Sequence, residues 1–219
     1  MRFTRRVACL VMLLALVAGS FPFFASADSP PLPPGTITTT TFDDDASPNN
    51  GTCSLREAVA AVNSQQKVDQ CPAGKAIALA AGTYHLTVKA GTAGASSTGA
   101  LGISGNVTIT SAGAGLTTID ATGLGDGVFN VSAKATLTLA NLTIRGGNSS
   151  DDGGAIVNTG TLSLSGVVLT ANHGGGNGGA ILNSGGTLNL STTLLSQNSA
   201  SGDGGGLAIP GGTVTIAAS

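Results

Sequence analysis

The chain has 219 residues, of which 34 are glycine, 9% are charged and 3% are aromatic, and its formal net charge is −2. Beyond residue 27 there are six basic and eleven acidic residues, a net charge of −5, which argues against nucleic acid as a partner. Tryptophan is absent, so few side chains suit stacking on a sugar ring.

Residues 1–27 have the organisation of a secretory signal peptide. Three arginines give a basic start, an apolar run covers 7–24, and small residues at 25–27 form a cleavage site. We therefore predict export, a mature chain that begins at Asp28, and a secreted or cell-surface location. A retained membrane anchor is the alternative, which the short apolar run and the cleavage motif disfavour.

A linker, a strand and an acidic turn are predicted next. Residues 28–35 contain four prolines, which favours an extended linker. The run Thr36–Phe42 is rich in β-branched residues and predicts a strand. Asp43, Asp44 and Asp45 follow; adjacent carboxylates are compatible with calcium, but a solvated loop is the expectation for such a charge run.

A short amphipathic helix is predicted after this turn. Ser54 and Glu57 have the spacing of a capping box, in which each residue satisfies the other's free backbone N–H. Leu55, Val59 and Val62 fall on one helical face. We predict that these three side chains cover the open end of the domain that follows.

Cys53 and Cys71 are the two cysteines outside the signal peptide. In an exported chain such a pair predicts a disulfide rather than a metal site. Two free thiols are the alternative.

Two strands and a loop precede the periodic region of the chain. The strands are predicted over Ile77–Leu79 and Thr83–Val88, and a Gly/Ala/Ser/Thr loop covers 90–99. His85 lies on the second strand with no evident partner, so a surface position is expected. We assign residues 36–104 to an N-terminal cap and first strands.

From about residue 105 the sequence is periodic. Gly-Gly-Ala-Ile occurs at 153–156 and 178–181, and Gly-Gly-Gly-Leu occurs at 204–207, so the three starts are almost evenly spaced. A repeat of this length, roughly 25 residues, with Gly/Asn corners predicts an all-β fold in which 105–219 form a parallel β-helix. An antiparallel sandwich is the alternative. Short strands are predicted in one register at 107–109, 137–139, 162–164, 188–190 and 214–216.

Stacked coils place each residue about 4.8 Å from its counterpart one period away. Aliphatic residues at equivalent inward positions therefore form ladders that bury the core. The predicted ladders are Ile156–Ile181–Leu207 and Leu162–Leu188–Val214.

Asparagines also recur at nearly the same interval. Stacked amide side chains can hydrogen-bond from coil to coil and satisfy corner carbonyls, which is a structural role. The predicted Asn ladder contains Asn148, Asn158, Asn172, Asn183 and Asn198.

The string CSLREAV at 53–59, the acidic turn before it and the GGAI repeats after it resemble bacterial exported proteins with a CSLREA domain. In that group the domain precedes a right-handed parallel β-helix of the pectin-lyase-like class. The GGAI repeats are also similar to those of polymorphic outer-membrane proteins. The resemblance implies a right-handed coil and export, and it implies no defined activity. The chain stops at Ser219 in mid-coil, so we expect a fragment or truncated product.

Pectin-lyase-like folds include polysaccharide-cleaving enzymes, which makes catalysis an alternative. Asp151, Asp152 and His173 have suitable types and spacing, since paired carboxylates serve glycosidic cleavage and one period would bring His173 near Asp152. The resemblance would also require an Arg-x-Lys motif further on, yet no basic residue follows Arg145. Arg145 and Lys134 are expected to be isolated. We predict no catalytic residue, with a polygalacturonase or pectate-lyase type enzyme as the alternative.

No cofactor is predicted. Calcium at Asp151, Asp152, Asp203 and Asn177 is the weaker alternative, because their oxygens could line one edge of the solenoid.

The predicted function is that of a non-catalytic exported or cell-surface β-helix protein that serves in adhesion or binds a surface ligand or glycan. We expect a monomer, because the predicted capping helix would protect the N-terminal end from edge pairing. Edge-to-edge association at the open C-terminal coil is the alternative.

Overall fold

Short parallel strands dominate the computed structural model, which describes residues 32–92 and 98–219. The predicted signal peptide, the start of the linker and the centre of the 90–99 loop lie outside these residues. Within the described ranges, a single helix accompanies eighteen strands. The elements are β1 (Thr36–Thr38), α1 (Leu55–Ser64), β2 (Ala76–Leu79), β3 (Gly82–His85), β4 (Leu101–Ile103), β5 (Asn106–Ser111), β6 (Thr117–Asp120), β7 (Phe129–Val131), β8 (Thr136–Ala140), β9 (Thr143–Arg145), β10 (Asn148–Ser149), β11 (Ile156–Asn158), β12 (Thr161–Ser165), β13 (Val168–Thr170), β14 (His173–Gly174), β15 (Ile181–Ser191), β16 (Leu194–Ser196), β17 (Ser199–Ala200) and β18 (Leu207–Ala217).

The strands stack into three parallel sheets that run along a solenoid. The strand order of the first sheet is β1-β2-β5-β8-β12-β15-β11-β7-β4. The long strand β15 joins the two halves of this sheet because it pairs with both β12 and β11. Strand β18 also pairs with β15. The second sheet is β3-β6-β9-β13-β16 and the third is β10-β14-β17. The predicted parallel β-solenoid is confirmed, and all five predicted repeat strands lie inside β5, β8, β12, β15 and β18. The right-handed sense stays a prediction.

Parallel stacking begins upstream of residue 105, where the sequence analysis placed the first regular coil. Thr36 pairs with Ala76, and Ala76 pairs with Thr108, so β1 and β2 are rungs of the first sheet. The connections between these early rungs are longer than the one that separates the paired residues Thr136 and Thr161. The long connections conceal the period, which explains the late boundary.

Inward side chains form continuous apolar ladders along the first sheet. Ile156 pairs with Ile181 and Ile181 with Leu207, while Leu162 pairs with Leu188 and Leu188 with Val214. Both predicted ladders are confirmed. The members from β11, β12 and β15 have no exposed surface, and those on β18 are partly buried. Each fully buried aliphatic side chain of this kind stabilises the fold by about 1.5–3 kcal/mol.

Helix α1 begins with the predicted capping box. The Ser54 backbone N–H donates to Glu57 Oε2 at 2.9 Å, and the Glu57 N–H donates to Ser54 Oγ at 3.2 Å. The helix ends at Gln65, whose φ of 56° is left-handed and stops further helical pairing. The predicted apolar face is buried, with Leu55, Val59 and Val62 each at most 3% exposed.

The helix lies against β4, β5 and β2, at the edge of the first sheet where β4 has no further strand partner. Asn63 occupies this edge with its amide: Nδ2 donates to Gly102 O at 2.7 Å, and Oδ1 accepts the N–H groups of Ser104 and Gly105. One side chain thus satisfies three backbone groups that a further strand would otherwise bond. That the helix keeps the solenoid soluble by capping it stays a prediction.

Cys53 and Cys71 form the predicted disulfide, with Cα atoms 4.9 Å apart. Both side chains are buried against the helix. The bond ties the residue before the N-cap to the segment that follows α1.

The acidic turn at 43–45 is not a simple solvated loop, which corrects the expectation for this charge run. The Asp44 carboxylate is fully buried and forms an ion pair with Arg56, with Nε 2.7 Å from Oδ1 and Nη2 2.9 Å from Oδ2. It also accepts the backbone N–H groups of Thr87 and Val88, each at 2.7 Å. The helix, the acidic turn and the segment after β3 therefore converge on one buried carboxylate, which the local sequence did not indicate.

No helix in 32–92 or 98–219 is both long and apolar enough to cross a membrane.

Candidate functional site

The outward side of the second sheet carries a row of polar residues. In β6, β9 and β13 the residue just before each of them is a buried aliphatic residue. Pairing of β3, β6, β9, β13 and β16 aligns one such polar residue from each strand. We call this row the polar ladder. It consists of His85, Asp120, Arg145, Thr170 and Ser196.

Asp120 and Arg145 form an ion pair at the centre of the polar ladder. Arg145 donates to Asp120 Oδ2 from Nε at 3.0 Å and from Nη2 at 2.8 Å, while the Thr122 N–H donates to Oδ1 at 2.9 Å. The carboxylate is 8% exposed and the guanidinium 51% exposed. Arg145 is therefore not isolated, which corrects the sequence-based expectation, because β6 and β9 align residues that lie one repeat apart. Lys134 lies at an exposed turn.

The environment of Asp120 favours its charged form. Burial raises the pKa of this carboxyl, but hydrogen bonds from Thr122 and the hydrogen-bonded charge of Arg145 together outweigh burial and hold the pKa below its usual 3.8. The pair is therefore ionised at neutral pH, with the acid fixed and the base half exposed.

A shallow groove of about 650 Å³ runs beside this pair. The residues that line it include Asp120, Arg145, Asn148 and Ala171. Across the next corner the third sheet aligns Asn148, His173 and Ser199, and His173 Nδ1 lies 2.9 Å from Ser199 Oγ. The groove therefore brings an acid, a base and an amide together, with an imidazole on the adjacent rung.

The predicted Asn ladder is present at four of its five positions. Asn158 Nδ2 donates to Asn183 Oδ1 at 2.6 Å, and Asn172 Nδ2 donates to Asn198 Oδ1 at 3.0 Å. Asn148 does not belong to it, since the register pairs it with His173, the residue immediately after Asn172. This offset of a single position leaves Asn148 exposed, and its side chain faces the groove.

The residues of the catalytic alternative are placed at separate positions in the register. Asp152 Oδ1 accepts the Asn177 N–H at 2.5 Å, and the Asp151 carbonyl accepts the Gly176 N–H at 2.9 Å. His173 pairs instead with Asn148 and Ser199. Within 98–219, no hydrogen bond or ion pair joins His173 to either aspartate.

The oxygens of the calcium alternative bond to backbone at one corner. Asp152, Asn177 and Asp203 lie on successive coils, and Asn177 Oδ1 accepts the Asp203 N–H at 2.8 Å just as Asp152 accepts the Asn177 N–H. Across the described residues of the chain, no group of three His, Cys, Asp or Glu side chains is placed to hold a metal ion.

Asp120 was not predicted to lie in a groove, although its separation from Arg145 along the sequence equals one repeat and indicates the pair. No family model, curated protein or solved structure matches the chain. The structure therefore defines the chain as a parallel β-solenoid with a polar groove on its second sheet.

Proposed function

We propose that this chain is an exported, non-catalytic β-helix protein that binds glycans through the groove beside Asp120 and Arg145. The single observation that carries the proposal is this ion pair, in which a nearly buried carboxylate holds a half-exposed guanidinium in a fixed orientation. Fixing the side chain before binding lowers the entropy lost when a ligand binds.

The groove offers both donors and acceptors, as hydroxyl-rich ligands require. Arg145 uses Nε and Nη2 on Asp120, so its Nη1 group is available to a ligand. The Asn148 amide adds one donor and one acceptor group, and neither bonds to another described side chain. A sugar with neighbouring hydroxyls can bond to the guanidinium and the amide together.

The absence of catalysis is proposed because the polar groups that could act already have structural partners. Asp152 holds the backbone of the next coil, and His173 lies beside Ser199. Glycosidic cleavage would need two carboxyl groups facing one bond. The CSLREA-type motif supports the same interpretation, since Arg56 and Glu57 of that motif are committed to the ion pair and the capping box. We place this chain among the CSLREA-domain proteins with a pectin-lyase-like β-helix on that motif and the repeats.

The proposal that the chain is exported is based on the signal-peptide organisation of residues 1–27. Expression in a bacterial host with N-terminal sequencing of the secreted product should find Asp28 as the first residue. Retention of residues 1–27 on a membrane-bound product would contradict cleavage.

The glycan proposal is tested by screening the purified chain on a glycan array and titrating each hit by calorimetry. We expect Arg145→Ala and Asn148→Ala each to weaken binding by about tenfold or more, equivalent to about 1.4 kcal/mol. Lys67→Ala is the matched control, because it removes an exposed cation outside the groove and should leave the affinity unchanged.

Two results would overturn the proposal. One is a failure of the groove to bind glycans, seen either as unchanged glycan affinity in Arg145→Ala or as no glycan binding by the wild-type chain. The other is release of reducing ends or unsaturated products from polygalacturonate by the wild-type chain, which would establish an enzyme. Loss of that release in Asp152→Asn would then locate its site.

A further inference from the structure

The outward side of the first sheet differs from the polar ladder in carrying no charge on its two central rows. Pairing of β5, β8, β12, β15 and β18 aligns hydroxyl and amide residues from coil to coil. We call these two rows the hydroxyl face. The first row is Asn106, Thr136, Thr161, Thr187 and Thr213, and the second is Thr108, Thr138, Ser163, Asn189 and Thr215.

The hydroxyls of the first row are not used inside the protein. Thr136, Thr161, Thr187 and Thr213 are exposed or half-buried, and their Oγ1 atoms have no hydrogen-bond partner within 32–92 and 98–219. In the second row, Asn189 Nδ2 donates weakly to Ser163 Oγ at 3.4 Å. The face therefore presents unsatisfied donors and acceptors that water or a ligand must bond.

Regular pairing gives the hydroxyl face the geometry of a lattice. Adjacent parallel strands lie about 4.8 Å apart, and alternate residues of a strand lie about 6.6 Å apart. The register between β8, β12 and the second half of β15 has no shift, and the shifts between β15 and β18 fall before Thr187. A regular array of hydroxyl and amide groups thus extends over successive coils.

A partner for such a face must itself be neutral and periodic. The surface of ice meets these conditions, because its water molecules form a lattice of donors and acceptors with repeats of similar size. Threonine suits it, since the hydroxyl both donates and accepts while the β-branched side chain keeps few rotamers in a strand. Crystalline polysaccharides are also periodic, but they are bound largely by aromatic stacking, and neither row contains an aromatic residue.

We propose that the hydroxyl face binds ice, aligning water molecules along its two rows. This binding is separate from the groove, which lies on the second sheet. It gives the exported chain a second surface that recognises a crystal lattice rather than a soluble ligand.

The test is partition of the purified full chain into a slowly growing ice crystal, together with microscopy of ice-crystal shape during growth. The wild-type chain should enrich in the ice and facet the crystals. Thr161→Tyr places a bulky ring in the first row and should reduce partition by about tenfold, the equivalent of about 1.4 kcal/mol of binding. Thr118→Tyr is the matched control, since Thr118 is a half-buried outward threonine on β6 of the second sheet, and it should partition like the wild type.

Circular dichroism establishes that each variant keeps its β signal, and Thr187→Tyr replaces Thr161→Tyr if the latter fails to fold. Exclusion of the wild-type chain from ice, or equal partition of Thr161→Tyr and Thr118→Tyr, would overturn the proposal. Wild-type binding to microcrystalline cellulose with no enrichment in ice would also overturn it and assign the face to a polysaccharide surface.

Discussion

Residues 36–92 add contacts that each occur once to the first stacked strands, whereas residues 98–219 repeat the same contacts from rung to rung. The first region contains a buried ion pair, a disulfide and a helix whose Asn63 satisfies a sheet edge. The second contains stacked aliphatic ladders and asparagine pairs, in which equivalent residues of successive coils contact each other.

The difference shows how a solenoid begins. A repeating coil draws most of its stability from its neighbours, so its first rung lacks half of them. At the edge beside β4, Asn63 of helix α1 satisfies three backbone groups that a neighbouring strand would otherwise bond. We therefore expect single substitutions before residue 92 to depend on individual partners, and those after residue 98 to follow position in a ladder.

The largest effect is expected from Arg56→Met, which leaves the buried Asp44 carboxylate without its cation. Removing one partner of a buried pair costs about 3–5 kcal/mol in unfolding free energy. Urea unfolding measures the change. Arg145→Met is the control, because its guanidinium is half exposed and Asp120 keeps its hydrogen bond from Thr122, so the substitution should cost less than about 1 kcal/mol. Equal losses of unfolding free energy in the two variants would contradict the proposed difference between the two regions.

The disulfide should rank next. Cys53 and Cys71 are 18 residues apart, and a loop of this size predicts a loss of about 3 kcal/mol on removal of the bond. We expect the Cys53→Ser/Cys71→Ser variant to unfold at lower urea, and to match the wild type measured under reducing conditions. Unchanged stability in both cases would show that the helix is held without the disulfide.

An intermediate effect is expected in the Asn ladder. Asn183→Ala removes an amide that accepts from Asn158 and donates to the carbonyls of Gly186 and Gly211, so buried groups lose partners at a cost of about 1–3 kcal/mol. Asn148→Ala, at an exposed position outside the ladder, should change stability by less than about 0.5 kcal/mol. Thermal unfolding compares the two variants, and a larger loss for Asn148→Ala would contradict the register.

The smallest effect is expected in the pH dependence of folding stability, to which one carboxyl group in each region contributes with opposite sign. The Asp120 pKa is lowered, so its ionised form stabilises the fold above its unfolded value of 3.8, and this contribution is lost as the pH falls through the folded value. Burial raises the pKa of Glu57 above 4.5 despite its hydrogen bonds with Ser54, so its ionised form costs stability near neutrality, and acidification relieves that cost.

Urea titrations from pH 7 to about pH 3 test both signs against the matched amide variants. The advantage of the wild type over Asp120→Asn should shrink on acidification. The stability of the wild type relative to Glu57→Gln should rise over the same change. The same sign for both carboxyls would contradict the assigned environments.

Sequence patterns predicted those features of the fold that depend on spacing alone. The ladders through Ile181 and Leu188 followed from the even spacing of the Gly-Gly motifs, and the capping box followed from two residues three positions apart. The start of stacking at Thr36 could not be predicted, because the early connections have different lengths.

Side-chain partners across unequal connections were equally hidden. The Asp44 carboxylate meets Thr87 and Val88 only after the chain has passed through α1, β2 and β3 and folded back, a contact with no local pattern. The groove was partly predictable: the repeat interval joins Asp120 to Arg145, whereas an error of one position put Asn148 in the wrong ladder. A ladder position must be correct to a single residue, because alternate residues face opposite sides of the sheet.

Amide hydrogen exchange of the wild type and Arg56→Met, followed segment by segment, tests the separation of the two regions most directly. We predict faster exchange in α1 and in the backbone N–H groups of Thr87 and Val88, with protection of β12 and β15 unchanged. Equal loss of protection throughout 32–92 and 98–219 would contradict this separation, because the chain would then open as one cooperative unit.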